Sequence, residues 1–258
     1  MKMMHRPIGV LDSGVGGISV LRELVALMPN ENYIFYGDSY NAPYGTKSLE
    51  EVQRLTCAAA EHLVNRGAKA LVVACNTATS AAINILRGRY PDIPVIGIEP
   101  ALKPAVLASA HPRVLVMATP MTLREEKFHQ LLEAHRTEAE IVSLPCPGLM
   151  EFVERGELQG EALENFLMDL LTEYREHPVD CVVLGCTHYP FVKNTIRKVL
   201  GEQVRIFDGG AGTARETRRR LEECGLRNTS AAQGKIWIEN SLHAPKTVAL
   251  CRQLLDFS

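Results

Sequence analysis

Two cysteines stand where apolar runs of strand character end: Cys75 in Leu71-Val-Val-Ala-Cys-Asn-Thr77, and Cys186 in Cys181-Val-Val-Leu-Gly-Cys-Thr-His188. In an open α/β sheet, ligands bind in the crevice outside the carboxyl ends of the strands. Both thiols are therefore placed for chemistry rather than for packing. A thiol is a base or nucleophile only as thiolate, and a free pKa of about 8.5 leaves little of it ionised at neutral pH. A helix N-terminus is expected after each cysteine and would favour the anion. His188, two residues past Cys186, can accept or supply a proton near neutrality. Asp12 and Asp38 close two further strands of the first half and are expected to line the same crevice.

Three kinds of chemistry use such residues. A redox-active disulfide pair is one, although the usual Cys-x-x-Cys spacing is missing. A single nucleophile, one cysteine with His188, would suit a hydrolase or amidotransferase and leaves the second cysteine without a task. In an acid/base pair, one thiolate takes a proton from one face of a carbon and the opposite thiol delivers a proton to the other. Only the third uses both cysteines equally.

The elements that must position these residues form a repeated βα pattern. Ile8-Gly-Val-Leu11 reads as a buried strand, followed by the turn Asp12-Ser-Gly-Val-Gly-Gly17 and a helix carrying Val20, Leu21, Leu24 and Leu27 at helical spacing. Gly14, Gly16 and Gly17 allow a tight turn whose N–H groups could hold a carboxylate; the G-x-G-x-x-G spacing of a dinucleotide site is absent. Tyr33-Ile-Phe-Tyr-Gly-Asp38 reads as a second strand ending in an acid. The loop 39–45 after it reads either as a flap over a small ligand or as a plain connection, and Asp38 either lines the cleft or caps that loop. Further strands are expected at 94–98, 113–118, 141–144, 204–207 and 235–239. Helices are expected at 48–66, 101–110, 123–135, 148–155, 160–176, 212–224 and 245–255.

The interval from the polar turn at Asp12 to Cys75 nearly repeats from Thr119 to Cys186. This predicts a duplicated α/β fold, with two similar doubly wound domains related by pseudo-symmetry and a cysteine on each wall of the cleft between them. One domain is placed at 1–98 plus 208–258, the C-terminal segment returning to the first half, and the other at 99–207.

Composition excludes several classes. The 258 residues are 46% hydrophobic and 22% charged with net charge −2, an ordinary globular balance without the sustained basic stripe of a nucleic-acid surface. The arginines at 215–220 alternate with or precede glutamates and read as a solvated helix face. No apolar run reaches the ~18 residues of a membrane span, and no signal-peptide core follows Met1; a cytoplasmic location is expected. The seven cysteines form no disulfide framework. With neither Cys-x-x-Cys nor His-Glu-x-x-His present, no metal is expected.

At these residues the chain resembles the cofactor-independent glutamate racemases. The matching stretches are Asp12-Ser13-Gly14 with Gly16-Gly17, Tyr36-Gly37-Asp38, Pro43-Tyr44-Gly45, Cys75-Asn76-Thr77 and Gly185-Cys186-Thr187-His188-Tyr189-Pro190. Aspartate and hydantoin racemases also pair two cysteines, but typically continue with Glu after the second Cys-Thr, so His188 points to the glutamate branch. The resemblance implies that Cys75 and Cys186 are the two acid/bases, with Asp12 and His188 assisting proton transfer and Glu154 a further acid near the second cysteine. It implies that Ser13, Asn76, Thr77 and Thr187 hold the substrate's α-carboxylate and ammonium, with Tyr44 and Gly45 contributing from the loop. It further implies reversible conversion of L-glutamate to D-glutamate for peptidoglycan synthesis, without pyridoxal phosphate or metal, in a homodimer. Ala118 stands where the family often has Gly, which weakens the case for carrying a substrate contact over to Thr119 and Thr122. Segment 225–240 matches the family poorly.

The other cysteines (57, 146, 181, 224, 251) read as buried or incidental, and the remaining histidines (5, 62, 111, 129, 135, 177, 243) as partnerless surface residues. Asp208-Gly-Gly210 reads as a helix cap rather than a third ligand turn. Two alternatives stay open: a racemase for aspartate or another small amino acid, and a racemase-fold binding or inhibitory protein, for instance of a DNA-handling enzyme.

Overall fold

The computed structural model describes residues 3–257. Its first half carries strands β1 (Ile8–Asp12), β2 (Tyr33–Gly37), β3 (Ala70–Val73) and β4 (Val95–Gly97), and its second β5 (Arg113–Ala118), β6 (Glu140–Pro145), β7 (Cys181–Leu184) and β8 (Arg205–Asp208). The first sheet runs β4-β3-β1-β2 and the second β8-β7-β5-β6, all in parallel. The strand order is the same in both, so β3 and β7, which carry the two cysteines at their ends, are equivalent. Each cysteine sits at the point where the strand order reverses, the ligand crevice of such sheets. A ninth strand, β9 (Ile236–Asn240), pairs in parallel with β2 on the edge of the first sheet.

Strands of this kind are buried on both faces, which is why they read as continuous apolar runs. Alternation assigns the faces. Ile8, Val10, Ala70 and Val72 meet Val20, Leu21 and Leu24 of helix α1 (Ile18–Leu27). Leu11, Leu71 and Val73 meet Val52, Leu55 and Leu63 of α2 (Leu49–Asn65) and Ile83 and Leu86 of α3 (Asn76–Arg89). Each fully buried leucine contributes about 2 kcal/mol. Helix α2 begins at a capping pair, the Ser48 hydroxyl accepting from the Glu51 N–H at 3.2 Å.

The second half departs from the expected helices in detail. The span 101–110 holds only α4 (Leu102–Val106). The span 123–135 is two helices, α5 (Pro120–Arg124) and α6 (Glu126–Glu133), parted by extended Glu125 at ψ 137°. The early start of α5 comes from Thr119, whose hydroxyl accepts from the Thr122 N–H at 3.3 Å, and from Pro120 at the first helical position. After α7 (Leu149–Glu154), the span 160–176 is likewise divided into α8 (Glu161–Leu170) and α9 (Thr172–Glu176) by a non-helical Leu171. Past β7, a 3₁₀ turn over Tyr189–Val192 precedes α10 (Lys193–Leu200), so no α-helix N-terminus abuts Cys186.

Helix α11 (Gly210–Glu223) packs on α1, and α12 (Pro245–Asp256) closes the chain. The Asp208 carboxylate accepts from the Gly210 N–H at 2.9 Å and so serves the helix start. The C-terminal return is pinned by a buried ion pair absent from the sequence reading. The Lys69 ammonium donates to Glu31, to the Met4 carbonyl at 2.6 Å and to the Leu226 carbonyl at 2.9 Å, while the Asn228 N–H donates to Glu31 at 2.7 Å. With every polar atom of that cluster engaged, the pair is satisfied as a network. Two histidines expected to be partnerless are paired: His62 with Glu239 at 2.7 Å and His135 with Glu138 at 2.6 Å. Among the described residues no helix is long and apolar enough to cross a membrane.

Candidate active site

The cleft between the two sheets' carboxyl ends is lined by Ser13, Tyr44, Gly45, Asn76, Thr77, Thr187 and His188, with Cys75 on one wall and Cys186 on the other. A larger cavity, ≈ 820 Å³, lies at the crossovers between the halves and holds none of these residues. Both thiols are nearly buried, 6% and 7% exposed, and free.

The two cysteines have different neighbours. Cys75 is the N-cap of α3, its sulfur accepting from the Ala78 N–H at 3.4 Å and lying 3.5 Å from the Ser13 hydroxyl. Burial pushes the Cys75 thiol up to about 12, helped by the nearby Asp12 carboxylate and opposed by its hydrogen bonds with the Ser13 hydroxyl and the Ala78 N–H. The sulfur of Cys186 instead lies 3.6 Å from His188 Nδ1. His188 Nε2 is 2.8 Å from the Glu154 carboxylate, which also accepts from the Val15 N–H at 2.8 Å. Burial alone would lower the His188 pKa, but its bonds to Cys186 and Glu154 hold it well above the ordinary 6.5. Burial would likewise raise Glu154, and the His188 hydrogen bond and charge hold it below 4.5.

The sign of the pH dependence follows. The His188–Glu154 pair stabilises the fold fully between the ordinary carboxylate and imidazole values, 4.5 and 6.5. Its contribution is lost as pH falls through the lowered Glu154 value and as pH rises through the raised His188 value. Glu154→Gln should therefore move the His188 titration, followed by NMR, to lower pH. It should also cut kcat/KM by about tenfold, the worth of one hydrogen bond to a charged group. An unmoved His188 midpoint would contradict the pairing.

The N–H groups of Gly14, Val15 and Gly17, expected to be open to an anion, are committed to protein carboxylates. The Gly14 and Gly17 N–H groups donate to the Asp12 carboxylate at 3.2 and 2.9 Å, and the Val15 N–H is taken by Glu154. Two protein carboxylates occupy the nest. Burial raises the Asp12 pKa against the pull of His188 and of these N–H groups. Asp12 also accepts from the Thr187 hydroxyl at 3.3 Å. Asp12 and Glu154 thus stand behind the cleft wall rather than on it.

Asp38 likewise stands behind the wall. It accepts from the Tyr44 hydroxyl at 2.7 Å and from the Asn41 amide at 3.0 Å, fixing the 39–45 loop that brings Tyr44 and Gly45 to the cleft. Sequence reasoning undervalued Thr119 and missed Cys146, Glu151 and Tyr189, all of which line the cleft. The Thr77 hydroxyl meets those of Thr119 and Thr122 across the two halves at 3.1 and 3.2 Å, and the latter two lie 3.0 Å apart. Cys146 follows β6 directly, so its position at a strand end was the available signal. Burial raises its thiol to a value that keeps it protonated at neutral pH. Among the described residues no cluster of three or more His, Cys, Asp or Glu could hold a metal ion.

A family profile described as Asp/Glu/hydantoin racemase matches residues 8–217. A glutamate racemase of Clostridium botulinum is 52% identical over 258 residues, covering all of both chains. Among solved structures, glutamate racemase from Francisella tularensis in complex with D-glutamate superposes with TM-score 0.84 at 29% identity, covering 98% of this chain and 94% of that one. Escherichia coli glutamate racemase in complex with L-glutamate and the activator UDP-MurNAc-Ala gives TM-score 0.85 at 31% identity, covering 96% and 95%.

Proposed function

The chain belongs to the Asp/Glu/hydantoin racemase family, and we propose that it interconverts L- and D-glutamate by proton transfer between two thiols at the α-carbon. The observation that carries the reading is the placement of Cys75 and Cys186 at equivalent strand ends of two duplicated halves, on opposite walls of one cleft. One thiolate removes the α-proton from one face while the opposite thiol delivers its proton to the other. The reverse reaction exchanges their roles. A thiol raised to about 12, as Cys75 is, yields a thiolate basic enough to abstract a weakly acidic proton.

Charge developing at the α-carbon and carboxylate needs fixed donors in a site that excludes water. The hydroxyls of Ser13, Thr77 and Thr187 are suited to that, and the buried Asn76 Oδ1, which has no partner among the described residues, would accept from the substrate ammonium. His188 keeps a proton within reach of Cys186, and Glu154 holds His188 in place. The proposal includes supply of D-glutamate for peptidoglycan synthesis by a cytoplasmic homodimer. The net charge of −2 gives no electrostatic reason for nucleic-acid binding.

One observation favours a second reading. Cys186, His188 and Glu154 form the thiol–imidazole–carboxylate chain of a thiol hydrolase or amidotransferase. Incubation of the pure protein with L-glutamate, D-glutamate, L-aspartate and L-glutamine, without added cofactor, separates the readings. Circular dichroism should show both glutamate enantiomers decaying to the same optically inactive mixture, with aspartate unchanged. Racemisation of aspartate at a comparable rate would move the substrate. Ammonia released from glutamine without racemisation of glutamate would favour the hydrolase.

A further inference from the structure

The turn that carries Cys186 has a gap in its own hydrogen bonding. In a 3₁₀ turn each carbonyl accepts from the N–H three residues on. The Cys186 carbonyl accepts from Tyr189 at 3.2 Å, and the His188 carbonyl accepts from Phe191 at 3.2 Å. Between them, the Thr187 carbonyl would need the N–H of residue 190, which is proline and has none. The Phe191 N–H, one residue further, is already committed to His188. Thr187 is 4% exposed, so its carbonyl needs a partner from elsewhere.

That partner comes from the other half of the molecule. The Ser19 hydroxyl, in the first turn of α1, donates to the Thr187 carbonyl at 2.9 Å. A helical serine commonly turns its hydroxyl back on its own helix. Here it reaches instead to the other half, to a residue 168 positions away.

We propose that Ser19 is a positioning residue for the Cys186 wall. It satisfies the one carbonyl that Pro190 leaves open and thereby fixes the Cys186-Thr187-His188 turn against the first half. The Cys75 wall has no bond to Ser19 and is set independently by the N-cap of α3. The inference rests on the two-thiol racemase reading.

Ser19→Ala removes the donor and leaves a buried carbonyl unpaired. It should lower kcat/KM for glutamate on the order of tenfold, and Ser19→Thr, which keeps the hydroxyl, should restore it. Enantiomers have equal free energy, so kcat/KM must fall equally in both directions and cannot by itself locate the damage. Primary isotope effects can. Each enantiomer, deuterated at the α-carbon, reports the thiol that deprotonates it. In Ser19→Ala the effect should grow for the enantiomer deprotonated by Cys186 and shrink or hold for the other. Wild-type rates in the alanine variant, or two isotope effects that move together, would overturn the proposal. Wild-type protein that fails to racemise glutamate would overturn the reading beneath it.

Discussion

Cys75→Ala and Cys186→Ala are each expected to lose racemisation of glutamate by about a thousandfold or more in both directions, with each single variant as impaired as the double. General acid/base groups contribute about 10² to 10⁴ in rate, and here one turnover needs both thiols: one to take the proton, the other to give it. Groups that act as a unit lose their effects together rather than additively. The folded structure should survive, because alanine replaces a side chain of similar volume at two cleft-facing positions. Initial rates from L- and D-glutamate, beside a thermal melt, check both statements. Residual activity within tenfold of wild type in either variant would remove that thiol from the mechanism.

The second large effect is expected at a residue that reaches the thiols only through His188. A Cβ added at Gly16 would lie 2.4 Å from His188 Nδ1 and 2.6 Å from its Cε1. The His188 ring cannot yield cheaply: it is 1% exposed and held by Glu154 on its far nitrogen. At Gly14 an added Cβ would meet the Glu154 carboxylate itself. The glycine turn is thus the bed on which the other half's His188 and Glu154 lie. Gly16→Ala should displace the ring from Cys186, lowering kcat/KM by about a hundredfold, and should cost about 1–3 kcal/mol in stability through overpacking. Gly88→Ala is the control. Its Cβ would meet nothing within 4 Å on an exposed face of α3, so it should be neutral or stabilising by up to about 1 kcal/mol. Full activity in Gly16→Ala would show that the ring has freedom the packing denies it.

The sequence made the fold and the two thiols legible for a local reason. Apolar runs ending in polar turns are contiguous, so Leu71 to Cys75 and Val182 to Cys186 could be matched by inspection, and their duplication exposed the repeated strand order. What stayed hidden depends on contacts between distant residues. The N–H groups of Gly14-Val-Gly-Gly17 looked free for a substrate carboxylate because Glu154, which fills part of that nest, lies 139 positions from Val15. His62 and Glu239, 177 positions apart, were separated for the same reason, as were the partners of the buried Lys69. The divided helices turned on the backbone of single residues, Glu125 and Leu171, whose types do not forbid helix.

The missing helix after Cys186 has a more instructive cause. Both motifs run from an apolar strand into a cysteine and two polar residues, Asn76-Thr77 and Thr187-His188, and the expectation of equal helix N-termini followed from that likeness. The structure gives Cys75 a helix cap and Cys186 an imidazole backed by a carboxylate. The two thiols are therefore set by different means, a backbone N–H at a helix start on one wall and an imidazole side chain on the other.

The central claim, proton removal and delivery by two separate thiols, is tested most directly by the early course of the reaction in D2O. Starting from L-glutamate, D-glutamate formed in the first few per cent of turnover should carry deuterium at the α-carbon, while the remaining L-glutamate should stay protiated. The same pattern should hold with the enantiomers exchanged. Product that retains the original proton, or deuterium that enters substrate and product alike from the start, would show a single base working on both faces and would contradict the account.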